Sequence, residues 1–97
     1  MFLIVLRYVK PLAEIDALLG AHRQFLERHY ADGSFLLSGR RQPRTGGVIL
    51  ARAPDQETLR AIIAQDPFFQ AEAAQYDIIE FVPTMAAAGL DHLTEPA

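Results

Sequence analysis

The sequence predicts an α+β fold of the ferredoxin-like type, in the order β-α-β-β-α-β, with one four-stranded antiparallel sheet and two helices on one face. Two apolar stretches with helical periodicity alternate with short runs rich in β-branched and aromatic residues. Turn residues separate these runs. The predicted strands are 2–9, 35–39, 48–51 and 76–82, and the predicted helices are 11–31 and a second one opening at 54–57.

The first strand, residues 2–9, is apolar on both of its alternating faces, as in a central strand that is covered on both sides. Residues 11–31 then follow a period of 3.6, with one apolar stripe and a charged opposite face. His22 falls in the middle of this stripe, and the pair Asp32-Gly33 is typical of a helix C-terminus.

The second half repeats the pattern after a hairpin whose turn spans 42–47. Asp55 is expected to cap the second helix. Asp66-Pro67 then interrupts it and starts a short new helix, since Asp is a favoured N-cap and Pro a favoured first helical residue. The last strand is followed by Pro83, so we expect a single domain with its core in 1–83 and an undecided tail in 84–97.

The composition excludes several function classes. A chain of 97 residues with 51% hydrophobic and 22% charged residues is expected to be one globular domain. The net charge of −3 argues against nucleic-acid binding, and the absence of cysteine excludes disulfides and thiolate chemistry. The apolar start is too short to cross a membrane, so a cytoplasmic location is expected.

Helices on one face of the sheet leave the other face bare. A second copy of the chain is the simplest cover for that face, which predicts a homodimer, a dimeric α/β-barrel, through the open sheet face. A monomer with a modestly apolar face is the alternative. Neither a metal nor another cofactor is expected, because the histidines lack the spacing of a metal motif.

The two strongest candidates for chemistry are His22 and Asp66. A histidine turned inward must find a hydrogen-bond partner, and Asp66 at the helix break is within reach if both helices share one face. Such a pair would hold the imidazole in one tautomer as a general base. The alternatives are a core histidine satisfied within the fold and a plain N-cap aspartate.

Five further residues are candidates for binding a small molecule. Arg7 is the only charge of the first strand, and Arg40 lies beside Ser38-Gly39 near the hairpin turn, where an arginine suits carboxylate recognition. The alternative for Arg40 is a solvated hairpin tip. Phe68 follows the Asp-Pro motif and is either a core residue or part of a ligand platform.

Taken together, these motifs resemble the YCII-related (YciI-like) family over most of the chain. The resemblance lies in the mid-helix His22, Gly46-Gly47 before a strand, the Asp66-Pro67-Phe68 motif and the closing 80–83 segment. It implies the dimeric ferredoxin-like fold and an enzyme that uses the histidine and the aspartate, here His22 and Asp66. Dehydrochlorinase chemistry on chlorinated hydroquinones is associated with some members.

Three functions remain open at this point. The first is a lyase or hydrolase-like enzyme that uses His-Asp acid-base chemistry on a small aromatic or acidic molecule. The second is a module that binds a small ligand or a partner without turnover, and the third is a structural dimer with a buried His-Asp pair. A hydrogen-bonded pair beside an open pocket would separate the first two from the third.

Overall fold

The computed structural model describes residues 1–95, which form one antiparallel sheet with its helices on one side. The strand order is β2-β3-β1-β4, the order of the predicted ferredoxin-like fold, which is confirmed. The elements are β1 (Phe2–Tyr8), α1 (Leu12–Ala31), β2 (Phe35–Arg40), β3 (Gly46–Ala51), α2 (Gln56–Ile63), α3 (Pro67–Gln70) and β4 (Ala74–Glu80).

The core lies between the sheet and the helices. Its members are the inward side chains of the central strands, the apolar stripe of α1 and one face of α2, including Phe2, Ile4, Ile15, Phe25 and Leu59, all almost fully buried. As expected, Asp55 caps α2 by accepting a hydrogen bond from the backbone of Thr58 at 2.7 Å. The core therefore forms where the helical and strand periods place apolar residues.

The predicted strand boundaries shift by one residue at the ends of β1 and β2 and by two residues in β3 and β4. β4 begins at Ala74 and ends at Glu80, two residues earlier than expected at each end, because Ala74 already pairs with Tyr8 of β1. β3 begins at Gly46 rather than Val48. A Cβ at Gly46 would lie 1.8 Å from the Leu6 carbonyl oxygen, so only glycine allows this close approach of the strands.

The other face of the sheet carries a row of apolar side chains across all four strands. Leu37, Leu50, Leu3 and Ile79 lie side by side in the register of the sheet. Leu37 and Ile79 are more than half exposed, and the two central leucines are partly buried. Within a single chain, β1 is thus covered on its helix-facing side only.

The segment after β4 returns to the start of the chain. The amino terminus of Met1 donates to the Phe81 carbonyl oxygen at 3.0 Å and pairs with the Glu95 carboxylate at 3.3 Å. Arg52 binds the carbonyl oxygen of His92 within a 3₁₀ turn over Asp91–Leu93. The expectation for the tail also covers residues 96–97, which lie outside the described residues. Among residues 1–95, no helix has the length and apolarity needed to cross a bilayer.

Candidate functional site

His22 lies near the middle of α1 and points toward the sheet. Because it lies in the apolar stripe of the helix, it is buried, with 9% of its surface exposed. The imidazole stacks on the Phe68 ring with a centroid distance of 4.1 Å and an interplanar angle of 15°. A histidine in this position is held by packing on one side, so its hydrogen-bond partners decide which nitrogen carries the proton.

Asp66 is that partner, and it is completely buried. Its Oδ1 lies 2.8 Å from His22 Nδ1 and accepts a hydrogen bond from the Phe68 backbone at 3.0 Å, as the N-cap of α3. Its Oδ2 accepts a hydrogen bond from the Tyr76 hydroxyl at 2.6 Å. Three hydrogen-bond partners therefore converge on this side chain and use both of its oxygens.

Tyr76 of β4 is the member of this network that the sequence analysis did not single out. Burial, followed by the adjacent Asp66 charge, raises the pKa of Tyr76 well above its usual value, so the phenol stays protonated and donates. The pairing of β4 with β1 indicates that Tyr76 faces the helices, because Tyr76 pairs with Leu6, whose side chain lies on that side of the sheet. That register is not visible in the sequence alone.

The second imidazole nitrogen of His22 has a different environment. No residue among 1–95 forms a hydrogen bond with Nε2, whereas Nδ1 contacts Asp66. His22 lines a cleft of about 170 Å³, below the range of about 300–1,000 Å³ typical of drug-sized ligands. The His22 side chain is thus placed at the wall of a small cleft.

The cleft lies between α1, α3 and the β2–β3 hairpin. Four of the predicted binding residues line it together with His22, namely Ser38, Gly39, Arg40 and Phe68. Apolar walls come from Leu6, Leu19, Leu26 and Ile49, and Tyr8 and Arg23 complete the polar part. The Ser38 hydroxyl contacts the hydroxyl of Tyr30.

Arg7 is the one predicted binding residue that the structure does not bring to the cleft. Its side chain lies on the open face of the sheet, on the same side as Leu3 and Val5, and binds the Gln75 side-chain oxygen. The reason is the alternation of β1, in which Leu6 faces the helices and Arg7 the opposite side. In contrast, Arg23, which the sequence analysis did not name, follows His22 on α1 and lines the cleft.

His29 is a second buried histidine on α1, and both of its ring nitrogens have protein partners. Its Nδ1 lies 2.9 Å from Asp32 Oδ2, and its Nε2 lies 3.0 Å from Gln65 Oε1. His29 lies in the last turn of α1. Within residues 1–95, no three histidine or carboxylate side chains come together in a geometry that would hold a metal ion.

The comparisons with known proteins add a family and a fold. The model of the YCII-related domain matches residues 1–82. A solved structure of 5-chloro-2-hydroxyhydroquinone dehydrochlorinase from Burkholderia phenoliruptrix, in complex with 2,5-dihydroxybenzoquinone, is similar with a TM-score of 0.68 and 19% identity. The match covers 86% of this chain and 95% of that one, and no curated protein matches. The chain therefore belongs to the YCII-related domain family.

Proposed function

We propose that the protein is a lyase-type enzyme in which His22 acts as a general base on a small organic molecule bound in the cleft. One observation carries this proposal: His22 is bound to Asp66 through Nδ1 at 2.8 Å, lines a cleft, and has no hydrogen-bond partner for Nε2 among residues 1–95. A base oriented by a buried carboxylate is a recurring arrangement for proton transfer. Asp66 orients the imidazole and stabilises its protonated form, and Tyr76 holds Asp66.

The reaction that this geometry favours is an elimination. For the keto tautomer of a chlorinated hydroquinone, His22 Nε2 takes a proton from a ring hydroxyl group, and the electron pair of that O–H bond forms a C=O bond. The adjacent C=C bond shifts toward the carbon that bears the chlorine, and chloride departs with its bonding pair, which leaves a quinone. A dehydrochlorinase has a similar fold, which agrees with this reaction class. At 19% identity this similarity shows the fold alone, so the proposal rests on the geometry of the site.

The direct test uses 5-chloro-2-hydroxyhydroquinone and measures chloride release by the wild-type protein and by Asp66→Asn. Asparagine keeps the volume of the side chain but cannot stabilise the imidazolium, so we expect a loss of at least about 100-fold in kcat. Asp91→Asn, an exposed change in the 3₁₀ turn outside the sheet, is the matched control. Equal activity of Asp66→Asn and the control would contradict the proposal.

A second measurement does not need a substrate. Nitrogen NMR of the histidine side chains is expected to show His22 protonated at Nδ1 and unprotonated at Nε2 near neutral pH. The opposite tautomer would leave no base facing the cleft. It would make the His22–Asp66 pair a structural contact only.

The protein is also proposed to act as a homodimer through its open sheet face. The row Leu37, Leu50, Leu3 and Ile79 crosses the whole sheet, and an apolar strip of this length is rarely left in water. Light scattering of the wild type and of Ile79→Glu tests this. A glutamate at position 79 would place a negative charge in the apolar dimer interface and would therefore disfavour association. We expect a dimer for the wild type and a monomer for the variant, and a wild-type monomer would contradict the dimer.

A further inference from the structure

Three arginines from three separate segments meet at the mouth of the His22 cleft. Arg23 comes from α1, Arg40 from the end of β2, and Arg44 from the hairpin between β2 and β3. Arg23 and Arg40 line the cleft itself. All three line an adjoining cavity at its rim. The hairpin thus brings positive charge to the helix that carries the proposed base.

The charges of this rim are only partly balanced. Asp16 is the single acidic residue lining it, and it forms an ion pair with Arg44. No carboxylate among residues 1–95 pairs with Arg23 or Arg40. The chain as a whole has a net charge of −3, so the rim has the opposite sign to the protein. Unpaired guanidinium groups of this kind attract an anion to the mouth of the cleft.

We propose that the cleft selects a small organic anion, a carboxylate or an acidic phenol in its phenolate form, with its anionic oxygen held by Arg23 and Arg40 at the mouth and its apolar body directed inward. Guanidinium groups bind planar carboxylates through paired N–H donors, which fixes orientation as well as affinity. Leu19, Leu26 and Phe68 provide an apolar wall for the body of the ligand. This inference rests on the proposed function, since it names the substrate class of the same site.

The two arginines have different positions relative to His22. Arg23 is the next residue on α1, so its position is tied to the base, whereas Arg40 lines the cleft from the end of β2. A carboxylate held between them has its adjoining carbon directed toward the interior of the cleft. The positive charge at the mouth therefore determines which end of an anionic ligand reaches His22 Nε2. A neutral ligand would not be oriented in this way.

Benzoate and its neutral analogue benzamide are the probes, with binding to the wild-type protein measured by calorimetry in low salt. The two ligands share a ring and a planar head group and differ in charge. We expect benzoate to bind at least about tenfold more tightly than benzamide, and this preference to fall as salt is added. Equal affinity for the two ligands, or no benzoate binding, would overturn the inference.

The variants Arg23→Gln and Arg40→Gln locate the effect. Each is expected to weaken benzoate binding at least about tenfold and to leave benzamide binding unchanged. Arg60→Gln, on the exposed side of α2, removes the same charge from the chain outside the cleft and is the matched control. A similar loss in Arg60→Gln would show that only the net charge matters, and would contradict the two-arginine site.

The failure of this inference is distinguishable from the failure of the proposed function. Benzoate binding needs no proton transfer, so the preference of the wild-type protein for benzoate over benzamide can be measured whether or not the protein turns over a substrate. A clear benzoate preference that is lost in Arg23→Gln supports the anion site even if no turnover is found. If chloride release depends on Asp66 but benzoate is not preferred over benzamide, the anion site is overturned and the proposed function stands.

Discussion

Two histidines seven residues apart on α1 have similar first partners and different second ones. His22 and His29 are both buried, at 9% and 6% exposure, and each places Nδ1 within 2.9 Å of an aspartate oxygen. The second nitrogen of His29 meets Gln65 at 3.0 Å, whereas that of His22 lines a cleft. The carboxylates differ too, since Asp66 is fully buried and the Asp32 side chain is 51% exposed.

The comparison shows that a buried His-Asp contact is not by itself a reason to propose catalysis. His29 has such a contact, but both of its nitrogens are occupied by the fold, so it has no free atom for a substrate. His22 combines an Nδ1 bound to Asp66 with an Nε2 that has no hydrogen-bond partner among residues 1–95, and it lines a cleft. The chemistry therefore depends on what the second nitrogen faces, more than on burial or on the carboxylate.

The largest expected difference is in activity. His22→Asn is expected to lower kcat by about 10²–10⁴-fold, because the positioned base is removed, and His29→Asn by no more than about threefold. The measurement is chloride release from 5-chloro-2-hydroxyhydroquinone, with circular dichroism to show that both variants are folded. A comparable loss of activity in both variants would break the comparison.

The next difference concerns the two carboxylates. Asp66→Ala leaves the Phe68 N–H and the Tyr76 hydroxyl without their acceptor in the interior, and is expected to destabilise the fold by about 3–5 kcal/mol. Asp32→Ala is expected to cost about 1 kcal/mol or less, because solvent reaches this residue and its partners. Urea unfolding measures both values, and similar values would show that burial does not separate the two sites.

A smaller effect is expected from Tyr76→Phe, which has no counterpart at the His29 site. The change removes one hydrogen bond to Asp66 and leaves the ring in place, so we expect a loss of about 1–2 kcal/mol in stability. Because the phenol positions Asp66 and touches no substrate, kcat should fall by about tenfold while KM stays unchanged. A rise in KM alone would assign Tyr76 to binding instead.

The smallest effect concerns acid stability at the His29 site. Hydrogen bonds from Ser34, with a smaller contribution from His29, lower the pKa of Asp32 below its ordinary value of 3.8. Asp32 therefore contributes stability above that value and loses it as the pH falls through its lower folded-state pKa. We expect the gap in unfolding free energy between wild type and Asp32→Asn to shrink below pH 3.8, with Glu27→Gln as an exposed control. An unchanged gap would contradict this linkage.

The sequence predicted the parts of the site that depend on local geometry. The inward direction of His22 follows from helical periodicity, and the cap at Asp66 follows from the Asp-Pro pair, so both are determined within a few residues. Tyr76 and Arg23 were missed, since their roles depend on the register of β4 and on the position of the hairpin beside α1. The binding role expected for Arg7 depended on which face of β1 the helices cover.

The sequence by itself determined the order of the elements, the stripe of α1 and the presence of an aspartate at the helix break. Those features arise from interactions between neighbours along the chain, for which residue type and spacing are sufficient. Only the tertiary structure decided that Asp66 meets His22, that Tyr76 donates to the same carboxylate and that Arg23 and Arg40 share one cleft. These contacts join residues that are far apart in the chain, and a shift of one residue in strand pairing would turn each strand side chain to the other face.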